Sequence, residues 1–566
     1  MKTGQHRIWK LLFLALVLTG SAAGQNLPSL RKHSDYPRYP AVGSVYVPLD
    51  SWIYPALERL AALRYVTSDF RGLKPWTRTE SARLTDEAGD TISEAIREDR
   101  QPGNEVVQLF RALEREFAAE LDALGGGRNR SFQPESVYAR VQSLSGPILN
   151  DGYHFGQTIS NDYGRPSRRG TNVVTGAAFR GSYGPFFAYA WGEYQHAPSA
   201  PALRDSQRQL IAQVDGVPVP SGLPFAPVNR FRLLDTYVGV NIKNWQVSFG
   251  RQSLWWGTSE SGPMIFSNNA EPLNMVRLNR VVPFRLPSFL GVFGPIRLDF
   301  FVGRAGGHTI AARPWLQGQR LSFKMTRDFE FGFTHSAMFG GEGRPNGIDV
   351  FFKTLVPVLE TIREFDTGVS LSDQHISFDF QYRFGRVMTF YAEMMNGDNR
   401  EPFTTISRTA VNTGLYFPRL PKLSRLDLRL EGVYTDTPDT TQNPRKDKLN
   451  YWHFTYKQGH TNNGVILGNS VGRAGVAYQG WLTYWISHRE RLQFSFKRTI
   501  VSSTFIPNGG SWSDYSIRYE KNLNSGFVLR SFLQLERLRY PFLFPHHRSN
   551  VTAQMELQYS LERRTN

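Results

Sequence analysis

The chain has 566 residues, no cysteine, 50 glycines, 33 prolines and 13% aromatic residues. Without cysteine, a disulfide framework and a thiolate metal site are excluded, and the turn-rich, aromatic-rich composition argues against a compact helical enzyme. The net charge of +17 favours polyanions such as acidic polysaccharide or outer-leaflet phosphates, and an N-terminal export signal removes nucleic acid from the expected partners.

That signal peptide is read at residues 1–24: Lys2, Arg7 and Lys10 precede the apolar run Leu11–Leu18, and small residues stand at Ser21 to Gly24. The apolar run is too short to cross a bilayer as a helix, and no later stretch approaches the roughly 20 apolar residues needed. Residues 25–132 carry three stripes at helical spacing and are expected to form a periplasmic helical bundle, able to plug or brace the remainder of the chain. The first stripe is Ile53, Leu57, Leu60 and Ala61. The second is Leu84, Ala88, Ile92 and Ala95, begun by Thr77 and Glu80 at capping-box spacing. The third runs Val106, Phe110, Leu113, Phe117, Leu121 and Leu124, read as one helix ended by Gly125-Gly-Gly127.

Beyond Phe132 the period becomes two. Ile376, Phe378, Phe380, Tyr382 and Phe384 alternate with polar residues, as do Leu492, Phe494 and Phe496, and Met555, Leu557 and Tyr559. Tight turns near Gly184, Lys243-Asn244, Arg327, Gly385, Ser487 and Asn522 take turns with long connections. The long ones fall at 196–229, 254–272, 305–317, 339–374, 397–408, 435–473, 501–510 and 538–548; the proline-rich stretch 284–295 is placed on the short side. A soluble sandwich also alternates but has no reason to sort its loops, whereas an outer-membrane barrel carries short turns on one rim and long loops on the other. Residues 133–566 are therefore expected to form a transmembrane antiparallel β-barrel, and counting from Asp151 gives about eighteen strands, with Ser136–Leu144 as a strand outside that count. The mean hydropathy of -0.38 does not oppose this, because only alternate residues face lipid.

Sugar recognition needs flat aromatic faces and polar groups for hydroxyls. Trp255, Trp256, Glu260, Asn268 and Asn269 offer these in one loop; Tyr451, Trp452 and His453, with Tyr456, Lys457 and His460, offer a second, aromatic and basic cluster, and Arg344 lies in the glycine-rich stretch Phe339–Pro345. Against this stands a structural role for each: rim anchoring for the tryptophans, turn capping for Asn268-Asn269, and a local ion pair between Glu342 and Arg344. His460 and Ser470 make no recognisable nucleophile set, and His546-His547 lacks partnered carboxylates, so no catalytic residue, metal or cofactor is expected. An open solute channel is the alternative, since a barrel of this size has a wide lumen unless it is filled.

Val47–Leu60, Gly72–Arg78, Tyr153–Ile159, Asn161–Pro166, Gly192–Ala197, Gly250–Pro272 and Phe339–Pro345, in this order, resemble the Wzi family of capsule-assembly proteins. The resemblance implies an eighteen-stranded outer-membrane barrel with a periplasmic helical bundle. It also implies a lectin-like, non-enzymatic role in attaching capsular or extracellular polysaccharide to the cell surface, with the export machinery as a further partner. The sequence departs from outer-membrane custom in not ending on an aromatic residue; Tyr559 or Leu561 is expected to take that place, with a polar tail beyond.

Overall fold

A computed structural model describes residues 42–356, 371–397, 409–437, 450–523 and 526–560. The expected signal peptide, Leu561 with the polar tail, and parts of the loops 339–374, 397–408 and 435–473 lie outside these residues.

Helices occupy Ile53–Ala62, Arg78–Arg97, Asn104–Glu116 and Ala118–Leu124. The third stripe is thus two helices, not one. Phe117 (φ -103°, ψ 16°) breaks the backbone between them, its ring is wholly buried, and the Arg78 guanidinium lies 4.9 Å from the ring centroid. The break lets Glu116 and Glu120 converge on Arg78, at 2.7 and 2.5 Å, so a buried cation decides the geometry over local periodicity. Thr77 caps the second helix by accepting the Glu80 N–H at 3.1 Å. The Glu80 carboxylate pairs with Arg83 at 2.8 Å and Arg297 of the barrel wall at 3.5 Å, which ties the helix to the wall. Thr77→Ala is expected to lower stability by about 1 kcal/mol, read as a lower denaturant midpoint at unchanged slope.

Eighteen strands form one closed antiparallel barrel, from Arg130–Leu144 and Gly170–Tyr183 round to Phe527–Arg539 and Arg548–Ser560. The ring shuts where the last strand pairs with the first, Ser560 opposite Ser136 and Thr552 opposite Leu144. Here one expectation is corrected: Ser136–Leu144 belongs to the first barrel strand. A register shift between Pro134 and Ser136 interrupts its alternation. The stretch from Asp151, taken as the start of the count, instead makes a two-residue ladder inside a loop, Asn150–Asp151 with Gly156–Gln157.

Outward positions are apolar and exposed, such as Phe249 at 67% and Met555 at 58%. Inward ones are polar and buried, among them Arg277, Asp299, Arg320, Thr334 and Asp379. Connections of a few residues, with the 281–294 segment, occupy one rim, and all the long loops occupy the other, as outer-membrane barrels arrange them. The described helices contain no span long and apolar enough to cross a membrane.

Charges such as Asp69, Arg320, Lys324 and Asp379 can be buried in the lumen because each carries a partner. The segment after the first helix enters from the short-turn rim, and Leu73–Lys74 pairs antiparallel with Trp255–Trp256 of the long inward-folded loop. Asp69 meets Arg383 at 2.6 Å and Lys324 at 3.0 Å on the inner wall. The Glu330 carboxylate accepts the N–H groups of Arg71 and Gly72, both at 3.0 Å. A Cβ on residue 72 would overlap the Arg320 guanidinium, so only glycine lets the chain approach this closely. The same device recurs higher in the lumen. Glu431 accepts from the N–H of Glu260 and Ser261 at 2.6 and 2.9 Å, Glu393 from Met264 at 3.1 Å, and Asp235 from Ser253 at 2.7 Å. Wall carboxylates thereby satisfy the buried backbone donors of an irregular loop, which otherwise cost free energy.

Candidate functional site

The segment 450–474 is where the long loops meet. Tyr451 donates its hydroxyl hydrogen to the Met264 carbonyl at 2.6 Å, and His460 Nε2 lies 3.0 Å from the Ile265 carbonyl. Tyr456 reaches the Gly340 carbonyl at 3.2 Å, Gln458 donates to Thr309 at 2.8 Å, and Arg473 pairs with Asp215 at 2.6 Å. From the first long loop, the Tyr163 N–H donates to the Asn268 carbonyl at 2.7 Å and the Asn161 N–H to Asn269 Oδ1 at 3.1 Å. Six loops are thereby cross-tied over the lumen.

His154 adds a charged tie. Its two ring nitrogens face Asp151 at 2.8 Å and Asp215 at 2.7 Å. Burial disfavours the imidazolium, but the charges and hydrogen bonds of these carboxylates outweigh it and push the His154 pKa up to about 9 from 6.5. Because the folded value is the higher one, the stability His154 contributes is fully present below pH 6.5 and is lost as pH rises through about 9. The gap in melting temperature between wild type and His154→Gln should therefore be wide at neutral pH and shrink as the pH is raised beyond that range.

The sequence-predicted residues separate into two groups. Trp256 is fully buried against Phe266 and Phe301, with ring centroids 5.3 and 5.5 Å away. Asn269 is buried and donates to Gln157 at 2.9 Å and the Ile466 carbonyl at 3.1 Å, and Asn268, Tyr451 and His453 are buried with it in the seal. Trp255, Glu260 and Asn268 line an internal cavity of about 380 Å³ shared with Trp481 and Trp485, where Glu260 pairs with Arg429. Trp452 and Arg344 are half-buried on the long-loop face. Glu342 takes Arg313 at 2.9 Å from the neighbouring loop, so the local Glu342–Arg344 pair that the sequence suggested is replaced by a tie between loops.

Around Trp452 the structure keeps Lys457 of the sequence-predicted cluster and adds Phe454 and Gln458, which the sequence reading missed. Phe454 is 49% exposed, the Lys457 ammonium lies 5.5 Å from the Trp452 ring centroid, and Gln458 is half-buried beside them. In Tyr451-Trp452-His453-Phe454 burial alternates, Tyr451 and His453 being buried, Trp452 half-buried and Phe454 exposed, although the segment is a turn with Tyr451 at φ +65° and not a strand. A cation, an amide and two aromatic rings make a shallow strip suited to the C–H faces and hydroxyls of a sugar chain. Among the described residues no group of three His, Asp or Glu is arranged to hold a metal ion.

A closed barrel that is apolar outside, charged inside and entered by its own loops defines an outer-membrane β-barrel protein. Residues 139–553 match the family described as Capsule assembly protein Wzi, and the chain belongs to that family. It overlays the Escherichia coli outer-membrane protein Wzi, described as involved in group 1 capsule assembly and as a carbohydrate-binding β-barrel, with a TM-score of 0.64 at 16% identity over 92% of this chain and 100% of that one. The overlay on Acinetobacter baumannii OccAB1 has a TM-score of 0.42 at 8% identity, covering 76% and 97% of the two chains. An uncharacterized 55.8 kDa protein of the cps region of Klebsiella pneumoniae is 24% identical over 173 residues. That match covers 30% of this chain and about a third (34%) of the relative's length.

Proposed function

We propose that this outer-membrane barrel of a capsule-assembly family is a non-enzymatic, lectin-like protein that holds exported capsular or extracellular polysaccharide at the cell surface. The polymer lies on the outer face of the sealed loops, stacked on Trp452 and Phe454 and held by Lys457 and Gln458, with Arg344 nearby. Trp255, Trp256, Glu260, Asn268, Asn269, Tyr451 and His453 are assigned to building the seal and its cavity. Outer-leaflet lipid and the polysaccharide export machinery complete the proposed partners.

The observation that carries this reading is the cross-tied cap. It opposes free passage through the lumen and leaves the outward strip as an aromatic surface that a polymer meets. Each contact is weak, and repetition along a polymer supplies avidity. The test is binding of capsular oligosaccharide of the producing strain to protein in nanodiscs. The Trp452→Ala/Phe454→Ala chain should bind roughly tenfold more weakly, two stacking contacts being worth about 0.5–1.5 kcal/mol each. Wild-type affinity in that variant refutes the assignment of the strip.

A further inference from the structure

On the outer wall formed by the last six strands, the registers place an unusual row. Gly432, Tyr478, Arg498, Ser513, Arg537 and Ser549 lie side by side across them, all facing outward, with Arg539 one step nearer the long-loop rim beside Ser511. Arg498, Arg537 and Arg539 are exposed and form no ion pair among the described residues; Arg498 donates to the Ser513 hydroxyl at 3.2 Å. Glu431, Asp514 and Glu536, the acidic residues in the same halves of these strands, are buried toward the lumen. Among the described residues, the positive charge of this wall therefore has no acidic counterpart on the outside.

Directly below the row lies an apolar groove of about 990 Å³, lined by Leu430, Phe494, Phe496, Ile517, Leu533 and Val551 among others. Gly480 faces outward in it, so the groove floor dips where a side chain is missing. Tyr484 and Tyr519 stand on the same face nearer the short-turn rim, six strand positions from the arginine row, or about 20 Å of chain. Arginines at one membrane interface, tyrosines at the other and a hollow between them match an acyl-bearing molecule with an anionic head at the long-loop side.

We infer that this wall is a binding site for a phosphorylated, multiply acylated glycolipid of the outer leaflet, its phosphates on Arg498, Arg537 and Arg539 and its chains in the groove beneath. Guanidinium groups bind phosphate through paired, charge-assisted hydrogen bonds, and the flanking serines supply further donors. The inference rests on the membrane setting of the barrel and is independent of the polysaccharide strip on the cap, so either can fail without the other. A fixed glycolipid beside the cap anchors the barrel in the carbohydrate layer through which its polymer passes.

The test is native mass spectrometry of the full chain in neutral detergent, with diphosphoryl lipid A, dephosphorylated lipid A, phosphatidylethanolamine and inorganic phosphate as separate probes. Wild type should retain diphosphoryl lipid A roughly tenfold more strongly than either the dephosphorylated form or phosphatidylethanolamine, as expected when charge-assisted contacts are removed. Arg498→Ser/Arg537→Ser/Arg539→Ser should lose that preference while keeping the heat-modifiable gel mobility of a folded barrel. Gly480→Trp, which fills the groove and leaves the arginines in place, should also weaken retention. Equal retention of phosphatidylethanolamine, competition by inorganic phosphate alone at the same concentration, or barrel dimers in place of lipid adducts each overturns the site. The probe comparison on wild type decides the matter even if the triple variant does not fold.

Discussion

Asp69→Ala is expected to unseat the plug and turn a silent barrel into a conducting one. Asp69 is the shared partner of Lys324 and Arg383, all three buried. Its own burial works against ionisation, but Arg383 and Lys324 hold its carboxyl well below the usual range. Because the folded value is the lower one, its contribution is intact at and above neutral pH and is lost only on acidification. Removing one partner of a buried ion cluster leaves the others uncompensated, at roughly 3–5 kcal/mol. Water must then enter to solvate Lys324 and Arg383, and the adjoining N–H bonds of Arg71 and Gly72 to Glu330 lose their fixed geometry. The expected outcome is a marked fall in melting temperature and stepwise bilayer current where wild type is quiet. Wild-type stability with silent bilayers means the plug is held elsewhere.

The second large effect is expected at the cap. Gly459 sits at φ +59°, and a Cβ there would overlap the Tyr451 carbonyl and the Tyr153 ring. Gly459→Val therefore combines left-handed backbone strain of about 1–2 kcal/mol with a clash that only backbone movement relieves. The hydrogen bonds from Gly459 N–H to the Tyr456 carbonyl at 2.7 Å and from His460 N–H to the Tyr451 carbonyl at 2.8 Å are broken with it. Strand pairing is untouched, so the barrel should still run as a folded, heat-modifiable band. Trypsin should cleave at Lys457, and oligosaccharide binding should fall at least as far as in Trp452→Ala/Phe454→Ala. A protease-resistant variant that binds normally contradicts the role given to this segment.

The barrel was legible because period-two alternation and the sorting of short and long connections both follow from a wall that is wet on one side and oily on the other. Ser136–Leu144 was left outside the count because Pro134 and its register shift break the pattern where the strand begins. The split at Phe117 escaped because helical periodicity continues through it, while the cause, Arg78, lies far away in the chain. The site was less legible still. Trp256 and Asn269 have the composition of a sugar-binding loop, yet they fold inward, since Glu393 and Glu431 on distant strands capture the backbone around them. Composition names the side chains; which way they face is decided by partners more than a hundred residues away. At Tyr451 to Phe454 the sequence shows four aromatic rings in a row, and only their burial in the folded turn separates seal from surface.

The most direct test compares cell-attached with released polysaccharide in cells whose only copy of the chain is wild type or Trp452→Ala/Phe454→Ala/Lys457→Ala, at matched surface abundance. Polymer should shift into the medium with the triple variant, and equally in cells lacking the chain. Polymer retained on those cells at the wild-type level contradicts the account.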